Sequence, residues 1–414
     1  HRCCNTANQN GGDSMDFGWN SEQQALKQEV RKFIADEVDQ ERLTAVSGEE
    51  GGRDPYVAEL RQKIKDKKWV AIAWPKEYGG QDGDQLSQYL VDEEFTRIGM
   101  QIGLAGGTGA AIMAAGTQEQ KDYYLPRLIS GEISFAQGFT EPSGGADLAS
   151  LQTRAVRDGD FYVINGQKIF TSGAHTSTHI YMMVRTDPDA PKHRGISILI
   201  FPMNTPGITV RPLWSIQNDP QAPPGTTYGT SRTNETFFED VRVPVSSLLG
   251  EENMGWYVGA MGLNLDRVGA SRYVMSIARD EDIVNWAKTS KINGHSIAEN
   301  PEVRDKLAEL WIEAQVCRLM TLRSMSIVMR EGKDFTYEGS AEKVWAPEHG
   351  VKTTEAIAQM LGPYGQLLNT SPRAIESGIY AHNLIGCFQS GINHGSVQIM
   401  RDQVGRRGLG LPRG

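Results

Sequence analysis

The chain has 414 residues, of which 39% are hydrophobic and 22% are charged, and its formal net charge at pH 7 is −9. This acidic balance argues against a nucleic-acid partner, and no apolar run is long enough to cross a membrane. The four cysteines have neither the pattern of a disulfide framework nor the spacing of metal ligands. We therefore expect a cytoplasmic globular protein of two or three domains, with no metal site.

The N-terminal part of the chain is predicted to be helical. Residues 1–14 lack an apolar signal segment and precede Met15, so we interpret them as a vector-derived or disordered tail. Apolar residues at helical spacing predict helices over residues 21–38, from Leu60 through Ile72 to a turn at Pro75, and over residues 85–98. Together they predict an N-terminal helical domain over residues 15–134.

A glycine-rich run from Gly103 to Gly109 lies in this helical part of the chain. A phosphate-binding loop would need a strand before it and a Gly-Lys-Ser/Thr at its end, and the sequence has neither. The better interpretation is a set of small residues that lets two helices pack closely.

Short β-type segments follow, and they predict a β-domain of sandwich or barrel type over residues 135–245. Strands are predicted at residues 162–164, 179–184, 196–201, 208–210 and 235–238. Asp158-Gly159 and Asn165-Gly166 are predicted as turns, with the chain returning from the second turn through Lys168 to Ser172. The Pro-rich segment 218–233 is either a plain surface loop or an insertion that reaches a partner or the substrate entrance.

Within this domain, the stretch from Phe135 to Ala174 has the composition of a ligand-binding segment. Pro142 fixes its own φ, and Gly144 and Gly145 let the backbone approach a flat or anionic ligand. Phe170 supplies an aromatic ring, and two hydroxyl residues follow it. Such a stretch could hold a planar heterocycle, but it could also be an ordinary solvent-side hairpin.

Helical periodicity returns after Gly250 and continues almost to the end of the chain. Helices are predicted over residues 253–286, 301–331, 339–361 and 375–385. Long amphipathic helices with short breaks are typical of a bundle, which we place at residues 246–414. The predicted fold class is α+β, with an N-terminal helical domain, a middle β-domain and a C-terminal domain of four-helix-bundle type.

Several motifs, taken together, resemble those of the acyl-CoA dehydrogenase family. They are Gly116-Thr-Gln-Glu-Gln-Lys121, Tyr124-Leu-Pro126, Thr140-Glu141-Pro142 with the small residues after it, Gly166-Gln-Lys168 with Phe170, Phe238-Glu-Asp-Val-Arg-Val-Pro244 and Arg407-Gly-Leu-Gly-Leu-Pro-Arg413. The resemblance runs from Met15 to Arg413 and is specific for the family, though not for a substrate. It implies FAD as cofactor, bound between the domains and across a subunit interface.

The resemblance also implies a reaction and a set of site residues. In the family, a carboxylate removes the α-proton of an acyl-CoA thioester and the β-hydrogen leaves as hydride, giving the trans-2-enoyl-CoA. Phe170 stands where tryptophan is commoner, and the turn at Gly362 resembles one that meets the FAD of a neighbouring subunit. The implied flavin-binding residues are Gln137, Phe139, Thr140, Gly145, Ala146, Phe170, Thr171, Ser172, Gln359, Gly362, Gly365, Ser396 and Gln398.

The catalytic base is the least regular part of the resemblance. Relatives place a glutamate at one of two positions, which are matched here by His394 and Asp266. Asp266 is the favoured base, with Arg267 matching an arginine that the family keeps beside it. Asp266 and Arg267 could instead be charges on a helix face. His394 could accept the proton as a neutral imidazole, or shape the pocket with its backbone N–H on the thioester carbonyl.

Residues 288–294 depart from the family in lacking an Arg-x-x-Phe-Gly motif, whose arginine reaches FAD phosphates across the subunit interface. Lys288 or Lys291 would be a poorer phosphate clamp. Together with Leu151-Gln-Thr-Arg-Ala155 and Pro301-Glu-Val-Arg-Asp-Lys-Leu-Ala308, this departure resembles a bacterial subgroup of two-chain enzymes for steroid or other bulky acyl-CoAs.

Three functions follow from the resemblance. The first is a dehydrogenase that passes electrons to an electron-transferring flavoprotein, as a homodimer, a homotetramer or a heterotetramer with a paralogous chain. The second is a low-activity subunit that completes the FAD site of such a paralogue. The third is a flavin monooxygenase or oxidase on the same fold.

Overall fold

The computed structural model describes residues 19–45, 54–102, 106–216, 218, 231–265, 273–292, 294–331, 336–393 and 395–412. The predicted tail at residues 1–14 and most of the Pro-rich segment lie outside these residues. The described chain runs from helices through a β-sheet to helices again, which confirms the predicted α+β class.

Six α-helices form the N-terminal part of the described chain. They are α1 Ser21–Glu37, α2 Gln40–Ala45, α3 Pro55–Asp66, α4 Gln85–Arg97, α5 Gly106–Ala115 and α6 Gln118–Ser130. Side-chain caps begin several of them: Asn20 and Thr117 form capping boxes, and Asp54 caps a helix whose first residue is proline. The predicted starts at residues 21 and 85 agree with α1 and α4, whereas α3 begins five residues before the predicted Leu60 and the starts of α2, α5 and α6 were not predicted.

The predicted helix from Leu60 to Ile72 is wrong in its second half. It ends at Asp66, and Lys68 adopts a left-handed φ of 58° before a short 3₁₀ turn at Trp69–Ala71. The reversal places the Trp69 ring against Phe33 and Phe95, with centroid distances of 5.3 and 6.1 Å. Burial of this large aromatic ring favours the turn over continued helix.

The middle of the chain forms one seven-stranded sheet in the described residues, with the order β1-β4-β2-β3-β7-β6 and β5 paired with β4. The strands are β1 Phe135–Gly138, β2 Arg154–Asp158, β3 Phe161–Lys168, β4 His179–Arg185, β5 Ile196–Pro202, β6 Ile208–Pro212 and β7 Asn234–Pro244. Strands β1 and β2 were not predicted. Both are short, and the alternation of residues within them is too brief to be recognised.

The two faces of β4 belong to different cores. Ile180, Met182 and Val184 lie in a core lined by β2, β3, β5 and β7, so the sheet encloses it as part of a barrel would. Tyr181 and Met183 face the other way, into a core shared with α5, α6 and α7. The sheet is therefore covered by helices on one face, at the end where β1 lies.

The predicted hairpin turn at Asn165-Gly166 is also wrong. Both residues lie inside β3, where a bulge shifts the register against β7 between Ile164 and Gly166. The hairpin turn is at Gly159-Asp160, because Asp158 pairs with Phe161 across β2 and β3. Gly166 is needed for another reason: a Cβ there would lie 2.6 Å from Thr153 Oγ1, so only glycine lets the two strands approach.

Helices make up most of the C-terminal part of the described chain. They are α7 Gly255–Leu265, α8 Val274–Thr289, α9 Pro301–Glu331, α10 Glu338–Leu361, α11 Ile379–Gly386 and α12 Val397–Gln403, with a small hairpin of β8 Lys291–Ile292 and β9 His295–Ser296 after α8. The ends of α9 agree with the prediction. Neither α12 nor the hairpin was predicted. No described helix is both long and apolar enough to span a membrane.

Three glycines fix the position of α7 against the rest of the fold. A Cβ at Gly255 would lie 2.4 Å from the carbonyl carbon of Ser197 in β5, and one at Gly259 would lie 2.0 Å from the Met183 side chain. A Cβ at Gly262 would lie 2.8 Å from the Gly107 carbonyl oxygen in α5. The described part of the glycine-rich run therefore serves close helix packing, as predicted.

The bundle contains a buried acid and a buried histidine between α8, α9 and α10. Burial raises the pKa of the Asp280 carboxyl to about 7 and lowers the pKa of His349. His349 Nε2 lies 4.0 Å from Asp280 Oδ2, and its Nδ1 lies 3.3 Å from Glu313 Oε2. Lys352 pairs with Glu313 at the same place, 2.5 Å away.

This arrangement predicts a pH-dependent contribution to stability. An aspartate in the unfolded chain has a pKa of about 4, whereas Asp280 in the folded protein has a pKa of about 7. Between these two pH values the folded protein therefore holds one more proton than the unfolded chain. The contribution of Asp280 to stability is therefore fully present below about pH 4 and is lost as the pH rises through about 7. We expect the change in unfolding free energy from wild type to Asp280→Asn to be more stabilising at about pH 8 than at about pH 4.5, by about 2–4 kcal/mol.

Denaturant unfolding of both proteins at the two pH values tests this prediction. Asp305→Asn, which changes an exposed carboxylate on the neighbouring helix α9, is the matched control and should show no such difference. A pH-independent effect of Asp280→Asn would show that Asp280 does not take up a proton on folding.

Candidate functional site

Two segments that are far apart in the sequence meet at one end of the sheet. The first is the loop of residues 139–147, which follows β1, and the second is the turn of residues 169–173, which follows β3. Strand β1 lies parallel to β4, with Gln137 opposite Tyr181. The Ile169 amide donates to the Thr140 carbonyl oxygen over 2.9 Å, which joins the two segments directly. Most of the predicted flavin residues are thereby brought together.

The loop after β1 is fixed at both ends. Phe139 is buried and packs against the Tyr181 ring at a centroid distance of 5.4 Å. Just past the far end, Arg185 donates to the Ala149 carbonyl oxygen over 2.6 Å. Gly145 and Ala146, between these anchors, are exposed. The loop thus presents exposed backbone from a fixed frame.

Glu141 holds the middle of this loop. Its carboxylate accepts the backbone N–H of Gln152 over 2.6 Å and that of Thr153 over 2.8 Å. It also accepts from Lys168 Nζ over 2.8 Å. Burial opposes ionisation of Glu141, but the Lys168 ammonium and these hydrogen bonds outweigh it and lower the pKa of the carboxyl.

The turn after β3 presents an aromatic ring and anchors a threonine. Phe170 has a left-handed φ of 57°, rare for a residue with a side chain, and its side chain is 60% exposed. Thr171 is buried; its N–H donates to the Asn234 carbonyl oxygen, and Asn234 Nδ2 donates back to the Thr171 carbonyl oxygen over 3.1 Å. Strain of this kind is kept where the surrounding structure enforces it, often at functional sites.

These features fit a planar heterocycle with a polar edge. The Thr171 hydroxyl is buried and has no hydrogen-bond partner among the described residues, which leaves it free for one more bond. The Phe170 ring is exposed on the same turn, and the Ser172 hydroxyl next to it is exposed as well. An apolar ring beside hydroxyl groups suits the isoalloxazine ring of FAD.

The other predicted flavin residues lie in the helical bundle. Gln359 is exposed near the end of α10, and Gly362 ends that helix with φ 56° and no neighbour within 4 Å of a Cβ built there. Gly365 is buried, and a Cβ built there would lie 2.9 Å from the Ala358 carbonyl oxygen. The Ser396 hydroxyl caps α12, and Gln398 is exposed in its first turn. These residues belong to different elements from the two joined segments.

The predicted base residues Asp266, Arg267 and His394 lie outside the described residues. Their neighbours in sequence are described. Helix α7 ends at Leu265, next to Asp266 in the chain. Lys343 is buried in α10 and donates to the Ser390 carbonyl oxygen and, over 3.2 Å, to Asn393 Oδ1, so it anchors the turn directly before His394.

Sequence reasoning missed several residues that hold the site in place. Glu141 and Lys168 stood in the quoted motifs, but no role was assigned to them. The available signal was that Lys168 shares the two-residue alternation of Tyr162 and Ile164, which face the core. Arg185 and Asn234 carry no local signal, because their partners are backbone groups of segments distant in sequence.

Comparison with known proteins agrees with this architecture. Family models described as the N-terminal, middle and C-terminal domains of acyl-CoA dehydrogenase match residues 20–132, 136–224 and 253–409. The chain is 33% identical over 410 residues to acyl-CoA dehydrogenase FadE26 of Mycobacterium tuberculosis, covering 96% of this chain and 99% of that one.

Solved structures show the same similarity. The Tcur3481-Tcur3483 steroid ACAD superposes with a TM-score of 0.82 at 33% identity, covering 97% of this chain and 100% of that chain. The ChsE4-ChsE5 complex from Mycobacterium tuberculosis gives a TM-score of 0.81 at 30% identity, with the same coverage of both chains.

The three matched domains and the similar relatives identify an oxidoreductase that acts on acyl-CoA. Within this class, the chain belongs to the acyl-CoA dehydrogenase family and is an acyl-CoA dehydrogenase.

Proposed function

We propose that this protein catalyses the FAD-dependent α,β-dehydrogenation of a bulky acyl-CoA thioester, of branched, alicyclic or steroid type, to the trans-2-enoyl-CoA. The observation that carries the proposal is the joined pair of loops, in which Thr140 is hydrogen-bonded to Ile169, the residue directly before Phe170. The similarity to a steroid ACAD over nearly the whole chain supports the choice of substrate class.

Bound FAD would supply the oxidant for the hydrogen that leaves Cβ of the substrate. The residues that would hold it are those of the two loops: the Phe170 ring, the Thr171 and Ser172 hydroxyls, and the backbone from Gly145 to Ala146.

Asp266 is the proposed base, since a carboxylate can take the α-proton and no other acid occupies either of the family's two positions. His394 would shape the pocket, its backbone N–H polarising the thioester carbonyl so that negative charge on that oxygen is stabilised as the proton leaves. The anchor from Lys343 to Asn393 supports such a fixed backbone position.

We further propose that Gln359, Gly362 and Gly365 contact the FAD of a neighbouring chain, and that electrons pass to an electron-transferring flavoprotein. The partner would be a second copy or a paralogous chain. Two of the similar structures are named as pairs of different chains, which supports the heterotetramer.

A low-activity partner subunit is the second candidate function. The observation that favours it is the exposed Lys288 at the end of α8, in a segment without the arginine that relatives use on FAD phosphates. The intact loop from Phe139 to Ala146 favours the dehydrogenase instead.

The visible spectrum of the protein purified alone, with flavin counted per chain, separates the candidates. The protein would then be titrated without oxygen, first with straight-chain and then with steroid-type acyl-CoA. We expect near-stoichiometric flavin that the bulky thioester bleaches. Colourless or half-filled protein that no thioester bleaches would identify the partner subunit, and full flavin that no thioester bleaches would favour an oxygenase.

A further inference from the structure

Among the lysine and arginine ion pairs of the described residues, Glu141–Lys168 is unusual because both side chains are almost completely buried. The Lys168 side chain is 0% exposed and that of Glu141 is 4% exposed. The other lysine and arginine pairs in the same part of the protein lie partly in water. The pair Lys192–Asp147, on the same loop, is 62% and 57% exposed.

The pair connects three segments that the site needs in fixed positions. Lys168, the last residue of β3, donates to the Glu141 carboxylate over 2.8 Å and to the Phe139 carbonyl oxygen over 3.1 Å. Glu141 in turn accepts from the backbone N–H groups of Gln152 and Thr153, directly before β2. Lys168 therefore contacts the loop after β1 and is followed directly by the turn that carries Phe170.

Stability alone does not account for a pair of this kind. Removing two charges from water is costly, and well-packed apolar side chains often replace a buried ion pair without loss of stability. What apolar side chains cannot do is fix the directions of three backbone groups at once. Here the pair holds the Phe139 carbonyl oxygen and the N–H groups of Gln152 and Thr153. The Ile169 amide, next to Lys168, holds the Thr140 carbonyl oxygen.

We propose that Glu141 and Lys168 are positioning residues that set the conformation of the Phe139–Glu141 segment in which it binds the FAD ring. Neither side chain needs to touch the cofactor, because both act through the Phe139 and Thr140 backbone. The inference rests on the proposed function in that FAD is the ligand of the two loops.

The test compares FAD affinity with folding stability in four variants. Glu141→Gln and Lys168→Met each leave one buried charge without its partner. The double variant E141Q/K168M removes both charges and so restores the charge balance. The control is D147N/K192M, which removes the exposed pair of the same loop. Apoprotein is titrated with FAD by quenching of flavin fluorescence, and unfolding is followed without FAD.

We expect both single variants to lose stability and FAD affinity together. The double variant should regain most of the stability while its FAD affinity stays at least about tenfold below wild type, the equivalent of one charge-assisted hydrogen bond. The control should match wild type in both measurements. A double variant that binds FAD as tightly as wild type would overturn the proposal and leave the pair a purely structural role.

Glu141→Asp provides a test that does not depend on the double variant folding. It keeps both charges and shortens the carboxylate by one methylene, so it changes the geometry alone. We expect weaker FAD binding with a smaller loss of stability than in Glu141→Gln, because both charges remain, and unchanged binding would contradict the proposal. If wild-type protein itself takes up no FAD, the proposed function fails; if wild type binds FAD and the variants bind equally well, only the positioning role fails.

Discussion

Asp266→Asn is expected to slow dehydrogenation of the acyl-CoA by about 10²–10⁴-fold, the usual contribution of a positioned general base, while FAD stays bound. Asparagine has nearly the shape of aspartate but cannot accept the α-proton. The rate of flavin bleaching by the substrate in a single turnover without oxygen measures this step directly. The flavin content per chain, measured on the same sample, shows whether the site is intact.

His394→Ala is the companion variant, because His394 stands at the other position where relatives carry the base. It is expected to weaken the reaction only partially, since its proposed contribution comes from the backbone N–H. If the substrate bleached the flavin of Asp266→Asn at the wild-type rate, Asp266 would have no part in the mechanism. If His394→Ala were then inactive with full flavin, the imidazole would be the base.

Gly262→Ala is expected to slow the same step by about 10–100-fold, because a small displacement of a reacting group has effects of this size. The added methyl would lie 2.8 Å from the Gly107 carbonyl oxygen, so α7 must move away from α5. Helix α7 ends at Leu265, and the shift would reach the residue after it, Asp266. Overpacking should also lower the unfolding free energy by about 1–3 kcal/mol.

Gly350→Ala is the matched control for this prediction. Gly350 also lies inside a helix, α10, but nothing lies within 4 Å of a Cβ built there. Alanine there should stabilise the protein by about 0.5–1 kcal/mol and leave bleaching unchanged. If Gly262→Ala bleached at the wild-type rate, close packing of α5 and α7 would have no part in placing the base.

The amino-acid sequence by itself determined the order of helical and β parts and the ends of several helices. Caps such as Asn20 and Thr117, and the periodicity of α9, are interactions within a few residues, so they can be recognised without knowing the fold. The family was recognisable for a related reason: its loop motifs are contiguous in sequence. The domain boundaries and the role of Asp266 stay predictions.

The tertiary structure decided what depends on contacts between distant segments. Gly166 lies in a bulge rather than a turn because β3 continues past it in its pairing with β7. Thr153 packs so closely there that a Cβ at Gly166 would lie 2.6 Å from its Oγ1. Glu141 and Lys168 became one pair only when β1 and β3 came together, and Asn234 reached Thr171 only through the pairing of β7 with β3. In each case the partner is a backbone group or a charge far away in the chain, whose distance depends on the packing of the whole sheet, and no local pattern of residues encodes that distance.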